Sequence, residues 1–126
     1  MKTKLLMISS CIFLGALGIT FTFIPDEIIS GLSVTPNPIS ILSLQLLGAL
    51  YLGFAMLNWM AKGSLIGGIY NRPIAIGNFM HFAVGALALI KIITKIHTHS
   101  EIIIFLTVFY VIFALLFAYV FKTNPT

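Results

Sequence analysis

The chain has 126 residues, of which 60% are hydrophobic and only 8% are charged, and its formal net charge is +4. A soluble domain is about a quarter charged, so this composition excludes an ordinary water-soluble domain and indicates a membrane protein. The seven basic residues are scattered instead of clustered, as is typical of topology determinants in membrane proteins, and no nucleic-acid partner is predicted.

Four long apolar runs define the predicted architecture. They cover about residues 5–24, 39–61, 74–92 and 102–121. A spanning helix requires roughly 20 mainly apolar residues, and in lipid each segment must satisfy its own backbone hydrogen bonds. The sequence therefore predicts an all-α integral membrane four-helix bundle that forms a single transmembrane domain over residues 1–126, with the lipid bilayer as its surroundings.

A short helix is predicted between the first two spans. Pro25 suits the first position of a helix, and Asp26 and Glu27 suit the positive end of the helix dipole. Together with the apolar residues that follow, they predict a helix over residues 25–32 that lies in the membrane interface. Asn37, which precedes a proline, predicts a capped start for the second span. Asn71 is predicted to cap the third span in the same way.

Charges at the ends of the spans predict the orientation. One side would hold Lys2, Lys4, Lys62, Arg72 and Lys122. The other side would hold Lys91, Lys95, Asp26, Glu27 and Glu101. Because cytoplasmic loops are enriched in Lys and Arg, we expect a multi-pass protein of the inner (cytoplasmic) membrane with both termini in the cytoplasm. Lys62 and Arg72 are predicted to anchor their helices or to contact lipid headgroups.

The first run also has to be distinguished from a targeting signal. Residues 8–11 (ISSC) look like a lipoprotein cleavage box, and Cys11 is the only cysteine, which excludes an internal disulfide. Only the four apolar residues 5–8 precede the serines of this box, however, which is too short for the apolar part of a signal peptide, and the apolar run continues to Ile24. We therefore interpret the segment as a retained first helix.

Polar side chains inside the spans form the candidate ligand-binding site. They are Gln45, Asn58, Asn78 and His81. An ionisable residue inside a membrane is a functional candidate, so His81 could act as a ligand or a proton carrier in a polar cavity. The alternative is structural, because buried amides and imidazoles also bond across helix interfaces. The sequence leaves both interpretations open.

Small residues recur on one stripe of the second span and on one stripe of the third. Glycine and alanine allow helix backbones to approach closely in a membrane. We therefore expect these two helices to contact each other through Gly48, Ala49, Gly77 and Gly85.

His97, His99 and Glu101 are the remaining candidates for chemistry. In an extended segment these alternate residues would point the same way, and imidazole and carboxylate suit zinc or copper. A structural zinc site requires four ligands, and no cysteine or further histidine is near. We therefore interpret this segment as a solvated loop and predict no metal, no cofactor and no enzymatic activity.

The sequence LQLLGALYLGFA at residues 44–55, followed by Arg72, Pro73, Gly77 and Asn78, resembles small four-helix bacterial membrane proteins of the DoxX-like kind. The resemblance covers most of the chain in its layout. It implies a four-helix bundle with a surface helix after the first span, which residues 25–32 would supply here. It implies little about function, because the functions of these families are mostly unsettled.

Three functional hypotheses follow. The first is a non-enzymatic accessory or interaction protein, either as a homo-oligomer or with a membrane-protein partner. The second is a binder or transporter of a small molecule or lipid, with a pocket lined by the four polar side chains. The third, which the single intramembrane histidine supports least, is an enzyme or redox accessory protein that holds a metal or haem through His81.

Overall fold

The computed structural model describes residues 3–32, 34–63, 71–95 and 101–123, and these residues form five helices and no strand. The helices are α1 (Thr3–Phe23), α2 (Pro25–Gly31), α3 (Pro38–Ala61), α4 (Arg72–Ile93) and α5 (Glu101–Thr123). All except α2 are long and apolar enough to cross a membrane. The predicted all-α class, with four spans and a short helix after the first, is confirmed.

Local hydrogen bonds explain where α3 begins. The backbone N–H of Ser40 donates to Oδ1 of Asn37 over 2.9 Å, and the backbone N–H of Asn37 donates to Oγ of Ser40 over 3.0 Å. This reciprocal pair is a capping box, so the predicted cap at Asn37 is confirmed.

The predicted cap of α4 is only half right. Asn71 occupies the N-cap position, but its side chain makes no capping hydrogen bond. Its φ of −105° and ψ of 13° lie outside the extended region from which a cap side chain usually reaches the backbone. Pro73 lies in the first turn of α4, as predicted, where its missing N–H leaves no helical bond unmade.

Helix α2 has seven residues and begins with Pro25, as predicted, with Asp26 and Glu27 in its first turn. Ile29 is buried, and its carbonyl oxygen accepts hydrogen bonds from the N–H groups of Leu32 and Val34. These two bonds end the helix and turn the chain towards α3. The location of α2 in a membrane interface stays a prediction.

The helices belong to two compact units, which we describe separately. One unit is Met7–Met60, which contains most of α1, all of α2 and nearly all of α3. The other contains α4, α5 and the described residues before Met7. The single domain predicted over residues 1–126 stays a prediction.

In the first unit, α1 and α3 run antiparallel and make contact through glycine. A Cβ atom placed on Gly18 would lie 3.0 Å from the carbonyl oxygen of Gly48, and one placed on Gly48 would lie 3.0 Å from that of Gly18. A Cβ atom on Gly48 would also lie 3.1 Å from the backbone nitrogen of Thr22. The side chains of Leu52, near Gly18, and of Thr22, near Gly48, lie closer still. Because backbone atoms also approach both positions, glycine allows a contact that a side chain would prevent.

In the second unit, α4 and α5 make contact through aromatic rings. Phe82 on α4 is fully buried and stacks on Phe113 and Phe117 of α5, with ring centroids 5.0 and 5.9 Å apart. The ring of Tyr110 meets Phe82 edge-on at 5.2 Å. The same ring covers Gly85, where an added Cβ atom would collide with it.

Two of the four small residues that were predicted to lie between the second and third spans contact a different helix. Gly48 contacts α1 and Gly85 contacts α5, whereas Ala49 is exposed. A Cβ atom on Gly77 would meet nothing within 4 Å in the described part of the chain. A contact between the second and third spans stays a prediction, because small residues show where close approach is possible without showing which helix approaches.

Candidate functional site

Asn58, one of the four predicted ligand-binding residues, is bonded across the α1–α3 pair. Its Nδ2 donates to Oγ of Ser10 over 2.9 Å, and Oγ of Ser10 in turn donates to the carbonyl oxygen of Met7 over 3.0 Å. Both polar side chains are fully buried. A buried amide needs such a partner, so this geometry supports the structural interpretation for Asn58.

Gln45 lies near the opposite end of the same helix. Its side chain is exposed, and its Nε2 is 3.5 Å from the carbonyl oxygen of Thr22, which is longer than an ordinary hydrogen bond. Gln45 and Asn58 are 13 residues apart on α3, which corresponds to about 20 Å along the helix axis. A single pocket lined by both amides would have to extend over that length.

Thr22 contributes the most unusual polar atom of the α1–α3 pair. Its Oγ1 is buried and has no hydrogen-bond partner among the described residues. It lies in the space that a side chain at position 48 would occupy, 2.6 Å from the position of an added Cβ atom.

Asn78 and His81 lie one turn apart on α4 and have different partners. Asn78 is fully buried, and its Nδ2 donates to the carbonyl oxygen of Ile74 in the preceding turn over 2.9 Å. Nε2 of His81 and the hydroxyl of Tyr110 on α5 are 3.1 Å apart, at hydrogen-bond distance. The imidazole is half-buried and also meets the ring of Phe82 edge-on at 4.9 Å. His81 thus joins α4 to α5 near the middle of both helices.

The predicted anchoring and metal-binding residues lie at helix ends or outside the described residues. Lys62 follows α3, and Arg72 is the first residue of α4, as anchoring or lipid contact requires. Glu101 begins α5, but His97 and His99 lie outside the described residues. Within the described ranges, no three His, Cys, Asp or Glu side chains are placed to hold a metal ion.

The sequence analysis missed Ser10 and Tyr110, the partners of Asn58 and His81. Tyr110 carried a usable signal, because a tyrosine far from the ends of a span needs a hydrogen-bond partner for its hydroxyl. Ser10 carried none, because nothing in the sequence indicates the register in which α1 and α3 pair.

The four apolar helices and the hydrogen bonds buried between them define a multi-pass α-helical membrane protein. Comparison of the chain with protein-family models, curated proteins and solved structures finds no match. Its function therefore has to be inferred from its own residues.

Proposed function

We propose that this protein is a non-enzymatic accessory or interaction protein, which acts by associating laterally with another membrane protein or with a second copy of itself. The observation that carries the proposal is the bonding of the intramembrane polar side chains. Asn58 engages Ser10 across α1–α3, and His81 engages Tyr110 across α4–α5. These two hydrogen-bonded pairs join neighbouring helices, and joining helices is a common structural role of polar side chains inside membranes.

The distribution of charge also supports an accessory role. The acidic residues Asp26, Glu27 and Glu101 lie in first turns of helices, and none lies within the predicted spans. Proton relays and ion pathways use chains of ionisable residues inside the membrane. In this sequence His81 is the only histidine or charged residue between Arg72 and Lys91. A lone imidazole suits helix association better than ion-coupled transport.

The proposal includes the inner membrane and cytoplasmic termini, supported by five basic residues on one side against two on the other. Cysteine labelling in a Cys11→Ala background tests the orientation. A membrane-impermeant maleimide should label Glu27→Cys in intact cells and Lys122→Cys only after lysis. The opposite pattern would reverse the orientation.

The position of α2 after the first span supports the proposed relationship to DoxX-like proteins.

Photo-crosslinking in native membranes tests the lateral association. A photoreactive phenylalanine would replace Leu50, Leu87 or Leu115, which point outward from α3, α4 and α5. The matched control is the same replacement at the fully buried Phe117. We expect a protein adduct of one reproducible mass from one outward position and none from Phe117. Adducts with lipid alone at every outward position would contradict the proposal.

The alternative, a binder or transporter of a small molecule or lipid, is favoured by one observation. His81 is only half-buried and lies beside the hydroxyl of Tyr110, so a polar group is accessible near the middle of α4. Native mass spectrometry of the purified protein should then detect a bound molecule that His81→Leu removes while the melting temperature is unchanged. A visible absorption band in the same sample would instead indicate a metal or haem on His81.

A further inference from the structure

The outward face of α4 carries an apolar stripe that ends in two lysines. Met80, Val84 and Leu87 are all exposed and follow one another at intervals of four and three residues, so they lie on one side of the helix. Lys91 continues the same side in the last turn of α4, and Lys95 follows in the turn after the helix ends at Ile93; both lysines are exposed. The stripe therefore runs from apolar to cationic along one face.

The length of this stripe matches one leaflet of a bilayer. Met80 precedes Lys91 by 11 residues, which is about 17 Å along the helix. Half of a typical hydrocarbon core is about 15 Å. Since Met80 lies near the middle of Arg72–Ile93, the two lysines reach the depth of lipid headgroups on the side where α4 ends.

The two lysines differ from Lys62 and Arg72, the cations at the end of α3 and the start of α4. Neither ammonium group has a hydrogen-bond or ion-pair partner in the described ranges, whereas Lys62 and Arg72 do interact with other residues. Lys91 gains from the negative end of the helix dipole. The two lysines are four residues apart at the end of α4, so their like charges repel each other, and an anion between them would offset that repulsion.

We propose that this face is a binding site for an anionic phospholipid, with the phosphate between Lys91 and Lys95 and one acyl chain along Met80, Val84 and Leu87. The charge of the lysines selects the headgroup, and the apolar stripe accommodates the chain. This site is separate from the His81–Tyr110 pair and does not depend on the proposed accessory function.

Lipid binding by the purified full-length protein tests this site. Native mass spectrometry would compare dioleoyl phosphatidylglycerol with dioleoyl phosphatidylcholine, which share acyl chains and differ in charge. We expect the wild-type protein to prefer the anionic lipid and the double variant Lys91→Gln/Lys95→Gln to lose that preference. A lysine near an anionic surface changes affinity by roughly fivefold, so the double variant should bind the anionic lipid about 25-fold more weakly.

Two controls make the outcome specific. Lys4→Gln/Lys122→Gln removes the same net charge from other helix ends and should keep the preference, and Lys91→Arg/Lys95→Arg should keep it as well. Retained binding in the Lys91→Gln/Lys95→Gln variant, or equal losses in both glutamine variants, would overturn the proposal. If millimolar inorganic phosphate displaced the anionic lipid, the lysines would form a simple anion site, and the proposed lipid site would also be overturned. A cooperative thermal unfolding transition of each variant in phosphatidylcholine confirms that the variant is folded.

Discussion

The two helix pairs of this protein are held together by opposite kinds of residue. In α1–α3 the contact is glycine on backbone, with Gly18 and Gly48 each facing the other's carbonyl oxygen. In α4–α5 the contact is a set of large rings, with Phe82 between the aromatic side chains of α5. Each pair includes one hydrogen bond between side chains of its two helices.

This difference shows two ways of holding helices together where lipid is as apolar as the interface. Without a hydrophobic driving force, association depends on close packing and on hydrogen bonds. Glycine achieves close packing because it has no side chain, so its neighbours include backbone atoms, which cannot move aside as a side chain can. Aromatic rings achieve it by filling space, so they tolerate small shifts but not the loss of a ring.

The largest effect is expected from removing a ring. Phe82→Ala should lower the free energy of unfolding by about 3 kcal/mol, the low end for a buried phenylalanine, because lipid solvates the released surface nearly as well as the core does. The matched control is Phe105→Ala, since Phe105 is half-exposed on α5. Thermal unfolding in detergent measures both variants. Equal melting temperatures would show that the ring cluster does not hold α4 to α5.

The next effect is expected at the glycine contact. Gly48→Ala should lower the free energy of unfolding by about 2 kcal/mol, as overpacking does, because the new methyl group meets the backbone of Gly18 and Thr22. Gly53→Ala on the same helix meets nothing within 4 Å in the described residues and should be neutral. Fluorescence of Trp59, the single tryptophan, follows the unfolding of α3. A neutral Gly48→Ala would refute the close approach.

A smaller effect is expected where a glycine faces a side chain. Gly85→Ala should cost about 1 kcal/mol, the low end for overpacking, because the ring of Tyr110 can shift whereas the backbone facing Gly48 cannot. Gly77→Ala serves as the control, since an added methyl group there meets none of the described residues within 4 Å. Thermal unfolding measures both variants. A larger loss of stability in Gly85→Ala than in Gly48→Ala would contradict the expected difference between a contact with a ring and a contact with backbone atoms.

The smallest effect is expected from the imidazole–phenol hydrogen bond. A double-mutant cycle of His81→Leu and Tyr110→Phe should give a coupling of about 0.6 kcal/mol, the average for side-chain hydrogen bonds inside membranes. A structural role also predicts that His81→Leu lowers the melting temperature. Zero coupling together with an unchanged melting temperature would indicate that His81 serves binding instead of packing.

The extent of the helices was predictable from the sequence, whereas their pairing was not. The runs predicted at residues 39–61 and 74–92 correspond to Pro38–Ala61 and Arg72–Ile93, because apolar length alone determines a span. Pairing requires a face that differs from the rest of the helix, and these helices are apolar on all sides. The glycine stripes indicated contacts, but the partner depends on the tertiary fold.

The candidate site was predictable as a set of residues and not as an arrangement. Asn58, Asn78 and His81 stand out because polar groups inside an apolar run need partners. The sequence did not reveal that Asn58 bonds to a serine 48 positions earlier, or that no comparable bond joins Gln45, 13 residues away on the same helix, to Asn58. Such long-range register depends on backbone approach at Gly18 and Gly48, which a single sequence does not encode locally.

The bond between Ser10 and Asn58 has a consequence for the order in which the chain enters the membrane. Ser10 is synthesised first, and its hydroxyl is bonded to the preceding turn through Met7, so this hydroxyl is satisfied in lipid before α3 is made. Asn58 arrives near the end of α3 and finds its acceptor in place. We therefore expect α1, once inserted, to lower the free-energy cost of inserting the amide of Asn58 with α3.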